Sequence, residues 1–274
     1  MKKLYYLFFL FTGTLVKAQT VLPPHLDRTG AATQLMVKGK PFLVLGGELH
    51  NSSTSGAAYM RPIWAQMKKK NLNTVIAPVY WELIEPQEGR FDFSLVDSML
   101  AGARKQNLHL VILWFASWKN GYSMYVPSWI KNNSDKYQRA KDKEGKTLQQ
   151  LSAFCEATSE ADARAFKALM KHIHSVDGNQ QTVIMMQIEN EVGLFGVPRD
   201  YAEWANRAFG MAVPDDLMKY LISHKGKLQP ELDSAWRVAG YYGLDYYVLP
   251  ALGTPWQKGK AFEPVETPQT HQLA

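Results

Sequence analysis

Hydrophobic residues in this chain form short, continuous apolar runs, separated by stretches in which apolar residues recur at helical spacing. The runs predict four buried strands, at 42–50, 74–80, 108–114 and 182–188. The intervening stretches predict helices around 61–70, 94–106 and 159–173, and a further one at 201–224 with a break near Pro214. Strands that are apolar on both faces and alternate with amphipathic helices predict a parallel sheet covered by helices.

A small hairpin is predicted where the first strand begins. Leu35–Val37 and Phe42–Leu45 flank the turn Lys38–Pro41, and the second arm continues as the first buried strand. Because the arm is apolar, we expect it to be covered along its whole length.

The residues that end the predicted strands distinguish a (β/α)8 barrel from a doubly wound sheet. No glycine-rich phosphate loop follows the first strand, since Gly46-Gly47 is followed by Glu48, Leu49 and His50. Carboxylates, amides and large aromatics end the strands instead, and barrel active sites are built from several strands at this face. We therefore predict an α/β fold of the (β/α)8 (TIM) barrel class.

Length limits how much of a barrel this chain can form. About 50 residues follow His224, whereas four more βα units need on the order of 120 residues. The sequence thus predicts the first four to five βα units within 19–240, followed by an irregular, proline-containing tail at 241–274. A truncated or frame-disrupted coding sequence is the first explanation, and a natural extended tail is the alternative.

Residues 1–18 have the pattern of a signal peptide. Lys2 and Lys3 precede an apolar run to Val16, and Ala18 precedes the expected cleavage site at Gln19. An uncleaved anchor is the alternative, although the run is short for a membrane span. We expect a secreted or periplasmic protein with no membrane association after cleavage.

Charge and cysteine content narrow the function classes. The formal charge of +6 falls to +3 when Lys2, Lys3 and Lys17 are removed, because 28 basic residues then face 25 acidic ones. No nucleic-acid partner is expected from so small an excess. Cys155 is the only cysteine, which excludes an internal disulfide and any two-cysteine metal site.

Carboxylates at the end of the fourth predicted strand are the main candidates for chemistry. Glycoside cleavage needs one carboxyl group to protonate the leaving oxygen and a second to attack the sugar or activate water. Glu191 suits the first role, beside Asn190. Glu189 lies two residues earlier, so in a continuing strand both glutamates would share a face while Asn190 points away. The alternative is that these glutamates form salt bridges at a strand end.

Three segments resemble the β-galactosidases of glycoside hydrolase families 35 and 42, a clan of retaining (β/α)8 glycosidases. They are GGELHNSS at 46–53, NTVIAPVYWELIEPQEGRFDFS at 73–94 and MMQIENEVG at 185–193, and the resemblance spans 33–225. It implies that Glu191 is the acid/base, that Asn190 contacts substrate, that the partner is a β-galactoside, and that no metal or organic cofactor takes part.

Two departures leave sugar recognition open. Many family 35 members have a glutamate where this chain has Ala116-Ser117-Trp118, and a tyrosine where it has Pro78. Local candidates for substrate binding are Glu189, Glu48, His50, Trp81, Glu82 and Trp118. The alternatives are an interior histidine for His50, a core aromatic for Trp81, and buried ion-pair partners for Glu48 and Glu82. Trp114, Trp118 and Trp129 could stack on sugars or simply pack.

The second catalytic carboxylate has no candidate in the sequence. The resemblance would place a nucleophile on strand seven, yet the four glutamates after Glu191 do not end an apolar strand. We therefore expect a retaining β-galactosidase type whose activity in this chain is small. A non-catalytic carbohydrate-binding protein is one alternative, and another clan member such as a β-mannanase or endoglucanase is the other.

Overall fold

The computed structural model describes residues 22–211 and 214–238. The predicted signal peptide (1–18) and irregular tail (241–274) lie outside the described residues. The strands are β1 (His25–Thr29), β2 (Ala32–Val37), β3 (Lys40–Pro41), β4 (Gly46–Glu48), β5 (Thr74–Tyr80), β6 (His109–Lys119), β7 (Arg139–Lys141), β8 (Thr147–Leu151) and β9 (Val183–Asn190). The helices are α1 (Ala57–Lys69), α2 (Trp81–Ile84), α3 (Ser94–Lys105), α4 (Ser128–Lys131), α5 (Glu156–Asp177), α6 (Glu203–Phe209), α7 (Asp215–Ser223) and α8 (Pro230–Val238).

The central sheet contains four parallel strands in the order β4-β5-β6-β9. Their spatial order follows their order along the chain, and α1, α3 and α5 lie in the crossovers. Barrels have this unidirectional order, whereas a doubly wound sheet reverses direction at a switch point. The prediction of an incomplete (β/α)8 barrel, with the first four to five βα units, is confirmed by the four parallel strands of the described residues.

The core lies between this sheet and the helices of the crossovers. Central strands β5 and β6 are almost wholly buried, as their continuous apolar runs require. Helices α1 and α3 approach closely where Gly102 faces Trp64, because a Cβ at position 102 would lie 2.3 Å from the indole Nε1. A glycine is therefore needed in the middle of α3.

The start of β9 is fixed by the buried carboxylate of Asp177 at the end of α5. This carboxylate accepts the backbone N–H groups of Thr182 at 3.1 Å and Val183 at 2.8 Å. It also pairs with the guanidinium of Arg104 on α3 at 2.6 Å. The fourth strand of the sheet thus begins at a point that α3 and α5 define together.

Several element boundaries differ from those predicted. The apolar segment Leu43–Leu45 is exposed and β4 has only three residues, so the expectation of a covered first strand was wrong there. The reason is that β4 is an edge of the central sheet within the described residues, with β5 as its only neighbour. Strand β6 continues past 114 to Lys119, and β1, β7, β8 and α8 were not predicted.

Strand β9 forms the opposite edge of the sheet. Met185 and Ile188 are exposed on it, Ile188 by 62%. None of the helices in the described part of the chain is both long and apolar enough to cross a bilayer.

Candidate active site

The carboxyl ends of the four parallel strands lie at the same end of the central sheet, where the loops after β6 and β9 meet. Strand β6 runs beside β9 to the pair Lys119 and Asn190. The segment Ser117–Lys119 therefore faces Glu189–Glu191, and these two segments form the candidate site.

Glu189 is the last residue but one of strand β9, and its backbone lies in the left-handed region. Its φ is +61° and that of Glu191 is +50°, both uncommon for a residue with a Cβ. The glutamates therefore do not share a face of a continuing strand, and that expectation was wrong. The side chain of Glu189 instead lies against β6, where Oε1 accepts the N–H of Ser117 at 3.1 Å and Oε2 that of Trp118 at 2.7 Å.

Burial controls the ionisation of Glu189. The pKa of Glu189 is raised from 4.5 to about 10, mainly by desolvation and to a smaller extent by the neighbouring carboxyl group of Asp162. Asp162 on α5 also accepts the indole N–H of Trp114 at 2.8 Å and the hydroxyl of Ser117. Glu189 therefore keeps its proton at pH 7, held against the backbone of β6. Sequence reasoning missed Asp162, whose position inside a helix carries no signal of this contact.

A tight turn after β6 holds the backbone of Glu191. Asn120 and Gly121 have φ values of +51° and +64°, and Lys119 and Tyr122 exchange backbone hydrogen bonds of 2.8 and 3.0 Å. The N–H of Gly121 then donates to the carbonyl of Glu191 at 2.9 Å. The dipeptide Asn-Gly is a strong sequence signal for such a turn and could have predicted it.

Glycine is required at the second position of this turn. Its φ is positive, and a Cβ at Gly121 would lie 2.4 Å from the ring of Phe195. The ring of Phe195 also packs beside Tyr122, at a centroid distance of 5.7 Å. The segment that follows Glu191 is thus packed onto the turn that holds its carbonyl group.

Lys119 joins the turn to Asn190. Its ammonium group donates to Oδ1 of Asn190 and to Oδ1 of Asn120, both at 2.6 Å. It also lies 4.7 Å from the centre of the Phe115 ring. Sequence reasoning missed Lys119, because a lysine at a strand end gives no indication of a partner 71 residues away.

The carboxylate of Glu191 is exposed, and among the described residues it makes no hydrogen bond or ion pair. Its backbone is held by Gly121 while its side chain is open to a ligand. A carboxyl group in this state can donate a proton to a bound molecule and later accept one.

The other candidates lie in different environments. Trp81 is fully buried with its indole N–H on Glu85 at 2.6 Å, which favours the alternative of a core aromatic. Glu82 pairs with Lys131 at 2.9 Å while half-exposed. Glu48 and His50 are exposed at the end of β4.

Trp118 near the end of β6 and Trp129 in α4 are held by packing and hydrogen bonds. Trp118 is buried beside Glu189, although its backbone N–H is part of the site. The indole N–H of Trp129 donates to the carbonyl of Glu85 at 3.0 Å. Substrate roles for these aromatics stay predictions.

Comparison with known proteins assigns the chain to a family. A model described as Glycosyl hydrolases family 35 matches residues 34–247. The chain belongs to this family. The match includes the whole candidate site and continues past residue 225, where the resemblance in the sequence was expected to end.

Relatives of this family 35 chain include two curated proteins. A β-galactosidase from Xanthomonas manihotis is 29% identical over 176 residues, which cover 62% of this chain and 27% of that protein. The human β-galactosidase-1-like protein 3 is 27% identical over 198 residues, which cover 65% of this chain and 27% of that protein. The chain therefore spans about a quarter of the length of the curated relatives it matches.

Solved structures that align with this chain include the β-galactosidase from the psychrophilic Marinomonas ef1. It has a TM-score of 0.46 and 18% identity, over 76% of this chain and 29% of that chain. The catalytic domain of a β-amylase from Paenibacillus polymyxa has a TM-score of 0.46 and 16% identity, over 70% of this chain and 49% of that chain.

Proposed function

We propose that this family 35 chain carries the acid/base half of a retaining β-galactosidase site, with Glu191 as the acid/base. The observation that carries the proposal is the contrast between two neighbouring glutamates. Glu189 is buried, neutral and hydrogen-bonded to the backbone of β6, whereas Glu191 offers a carboxyl group without a partner among the described residues.

The proposed chemistry follows from this arrangement. Glu191 donates its proton to the leaving glycosidic oxygen while a second carboxylate attacks the sugar, and it then removes a proton from the water that releases the product. Asn190, held by Lys119, donates a hydrogen bond to a sugar hydroxyl. The reaction uses protons and carboxylates, and we expect no metal or organic cofactor in it.

The second carboxylate limits the activity that we expect. A nucleophile on strand seven has no counterpart among residues 22–211 and 214–238, whose central sheet contains four parallel strands. We therefore propose a β-galactoside as the ligand and little turnover by this chain alone.

The test is a comparison of leaving groups with purified residues 19–274. A 4-nitrophenyl β-galactoside needs little protonation at the leaving oxygen, whereas an alkyl β-galactoside depends on it. Glu191→Gln should therefore reduce any turnover of the alkyl substrate more than that of the nitrophenyl substrate. The matched control is Glu203→Gln on α6, whose side chain is 81% exposed.

Two outcomes would contradict the assignment. One is turnover that Glu191→Gln leaves unchanged on both substrates. The other is an equal effect of Glu191→Gln and Glu203→Gln. Hydrolysis of β-mannosides or β-glucosides in preference to β-galactosides would keep the role of Glu191 and replace the proposed sugar.

A non-catalytic carbohydrate-binding protein is the second candidate. It is favoured by the four-stranded sheet of the described residues, which provides Glu191 but no strand seven. Galactoside binding by a monodisperse protein, with no hydrolysis after prolonged incubation, would support this candidate over the enzyme.

Export is part of the proposal. The pattern of residues 1–18 supports cleavage before Gln19. The N-terminal sequence of the protein recovered from its native host should begin at Gln19, and a mature protein that begins at Met1 would contradict export by cleavage.

A further inference from the structure

Lys119 is a buried cation at the candidate site, and its side chain has no acidic partner among the described residues. The residue is 7% exposed. Lysine is seldom this buried unless a carboxylate pairs with it. Here the ammonium group is surrounded by two amide oxygens and the face of Phe115. Such a costly arrangement suggests a role beyond packing.

The chemistry of the ammonium group fixes the orientation of Asn190. An ammonium group only donates hydrogen bonds, so the atom of Asn190 that lies 2.6 Å away must be Oδ1. The other end of the amide, Nδ2, then points away from Lys119 and donates to no described residue. Asn190 therefore presents two N–H donors beside Glu191, and rotation of the amide would place its NH2 group against the cation.

We propose that Lys119 is a positioning residue that holds the Asn190 amide with its donors toward the sugar. This inference rests on the proposed function, in which Asn190 contacts the substrate. It adds a specificity rule: the group bound beside Glu191 must offer an acceptor oxygen, as a hydroxyl group does. The positive charge of Lys119 beside Oδ1 also polarises the amide and strengthens its N–H donors.

The second asparagine stabilises this arrangement. Oδ1 of Asn120 accepts from the same ammonium group at 2.6 Å, and Asn120 is the first left-handed residue of the turn that holds Glu191. The turn thus supports both the backbone of Glu191 and the cation that orients Asn190.

The first experiment needs no activity. The side-chain NH2 resonances of Asn190 are assigned by their loss in Asn190→Asp, in the ligand-free chain 19–274. Lys119→Met should shift them, because the cation no longer polarises the amide and the side chain is then free to rotate. The control Lys136→Met removes a surface lysine that pairs with Glu88 and should leave them in place.

The second experiment is a double-mutant cycle with Asn190→Ala. In the wild-type background, Lys119→Met should lower kcat/KM, or the association constant for a galactoside where turnover is undetectable, by about tenfold, as for loss of a charge-assisted hydrogen bond. In the Asn190→Ala background, Lys119→Met should lower the same constant by less than about twofold. Lys119→Arg keeps a donor and should retain part of the effect.

The two experiments separate the inference from the function on which it rests. Shifted Asn190 resonances without binding or turnover of any galactoside support the orientation and overturn the proposed function. Unchanged resonances in Lys119→Met, or an equal loss in both backgrounds of the cycle, overturn the inference and leave the function standing. Where Lys119→Met does not fold, Lys119→Leu, which also lacks a donor, replaces it in both experiments.

Discussion

The effect of replacing Glu189 by glutamine should change sign as the pH rises, from destabilising at low pH to stabilising at neutral pH. The glutamine keeps the size of the carboxyl group, can accept the N–H of Trp118, and can donate to Asp162 in place of the acid proton. Ser117 loses one acceptor, but its N–H also lies 3.1 Å from Oδ2 of Asp162. The substitution should therefore cost about 1 kcal/mol at a pH where Glu189 is protonated in the folded and unfolded states.

The pH dependence follows from the raised pKa of Glu189. The unfolded chain releases this proton near pH 4.5, whereas the folded chain keeps it up to about pH 10. The folded state thus binds more protons between these limits, and the free energy of unfolding falls by about 1.4 kcal/mol per pH unit. The contribution is fully present below pH 4.5 and is lost as the pH rises toward 10.

Glutamine does not titrate, so Glu189→Gln escapes this loss. At pH 7 the ionisation of Glu189 in the unfolded chain has lowered the free energy of unfolding of the wild-type chain by about 3 kcal/mol, relative to low pH. After subtraction of the lost hydrogen bond, the variant should be more stable by about 2 kcal/mol at pH 7 and less stable by about 1 kcal/mol near pH 4.5.

Urea unfolding followed by tryptophan fluorescence, at pH values from 5 to 8, measures this difference. Titration of groups that do not interact with Glu189 is common to both proteins and cancels in the subtraction. Glu203→Gln, at an exposed position of α6, should show a difference that does not change with pH. A pH-independent difference for Glu189→Gln, or one that grows more unfavourable with pH, would refute the assignment of Glu189 as a neutral structural group.

Three further substitutions test the packing that supports the site. Asp177→Ala leaves two backbone N–H groups of the buried β9 start without an acceptor and should lower the free energy of unfolding by about 3–5 kcal/mol in urea titrations. Gly102→Ala places a methyl group on the Trp64 indole and should cost about 1–3 kcal/mol, with a change in near-UV circular dichroism; an unchanged spectrum and stability would contradict the tight α1–α3 contact. Glu82→Gln removes a half-exposed pair with Lys131 and should cost less than about 1 kcal/mol, less still in 1 M salt.

The apolar pattern was sufficient to predict the central sheet. Strands β5 and β6 have continuous hydrophobic runs because neighbours cover them on both faces, while β9 has such a run although only Ile184 is buried among its described residues. The polar residues that end these strands predicted the barrel. The pattern failed for β1, whose sequence HLDRT is largely polar and exposed. It also failed for the β7–β8 hairpin, which pairs three residues with five in a polar loop.

The candidate site was predictable in position but not in orientation. The sequence places Glu189 and Glu191 together after an apolar strand, but no residue type in that segment signals the left-handed backbone that separates their side chains. The partners that decide each role, Asp162 and Lys119, come from other elements and meet β9 only in the folded chain. Long-range contacts of this kind leave no local trace in a single sequence.

The attachment of β9 at both ends has a consequence for the order in which such a site is made. Asp177 fixes the start of the strand and Glu189 fixes its end, and both contacts come from elements that precede β9 or belong to it. A ribosome would therefore deliver the groups that hold Asn190 and the backbone of Glu191 before the residues that follow Glu191 are synthesised. The two attachments of β9 thus do not depend on the order in which the rest of the chain folds.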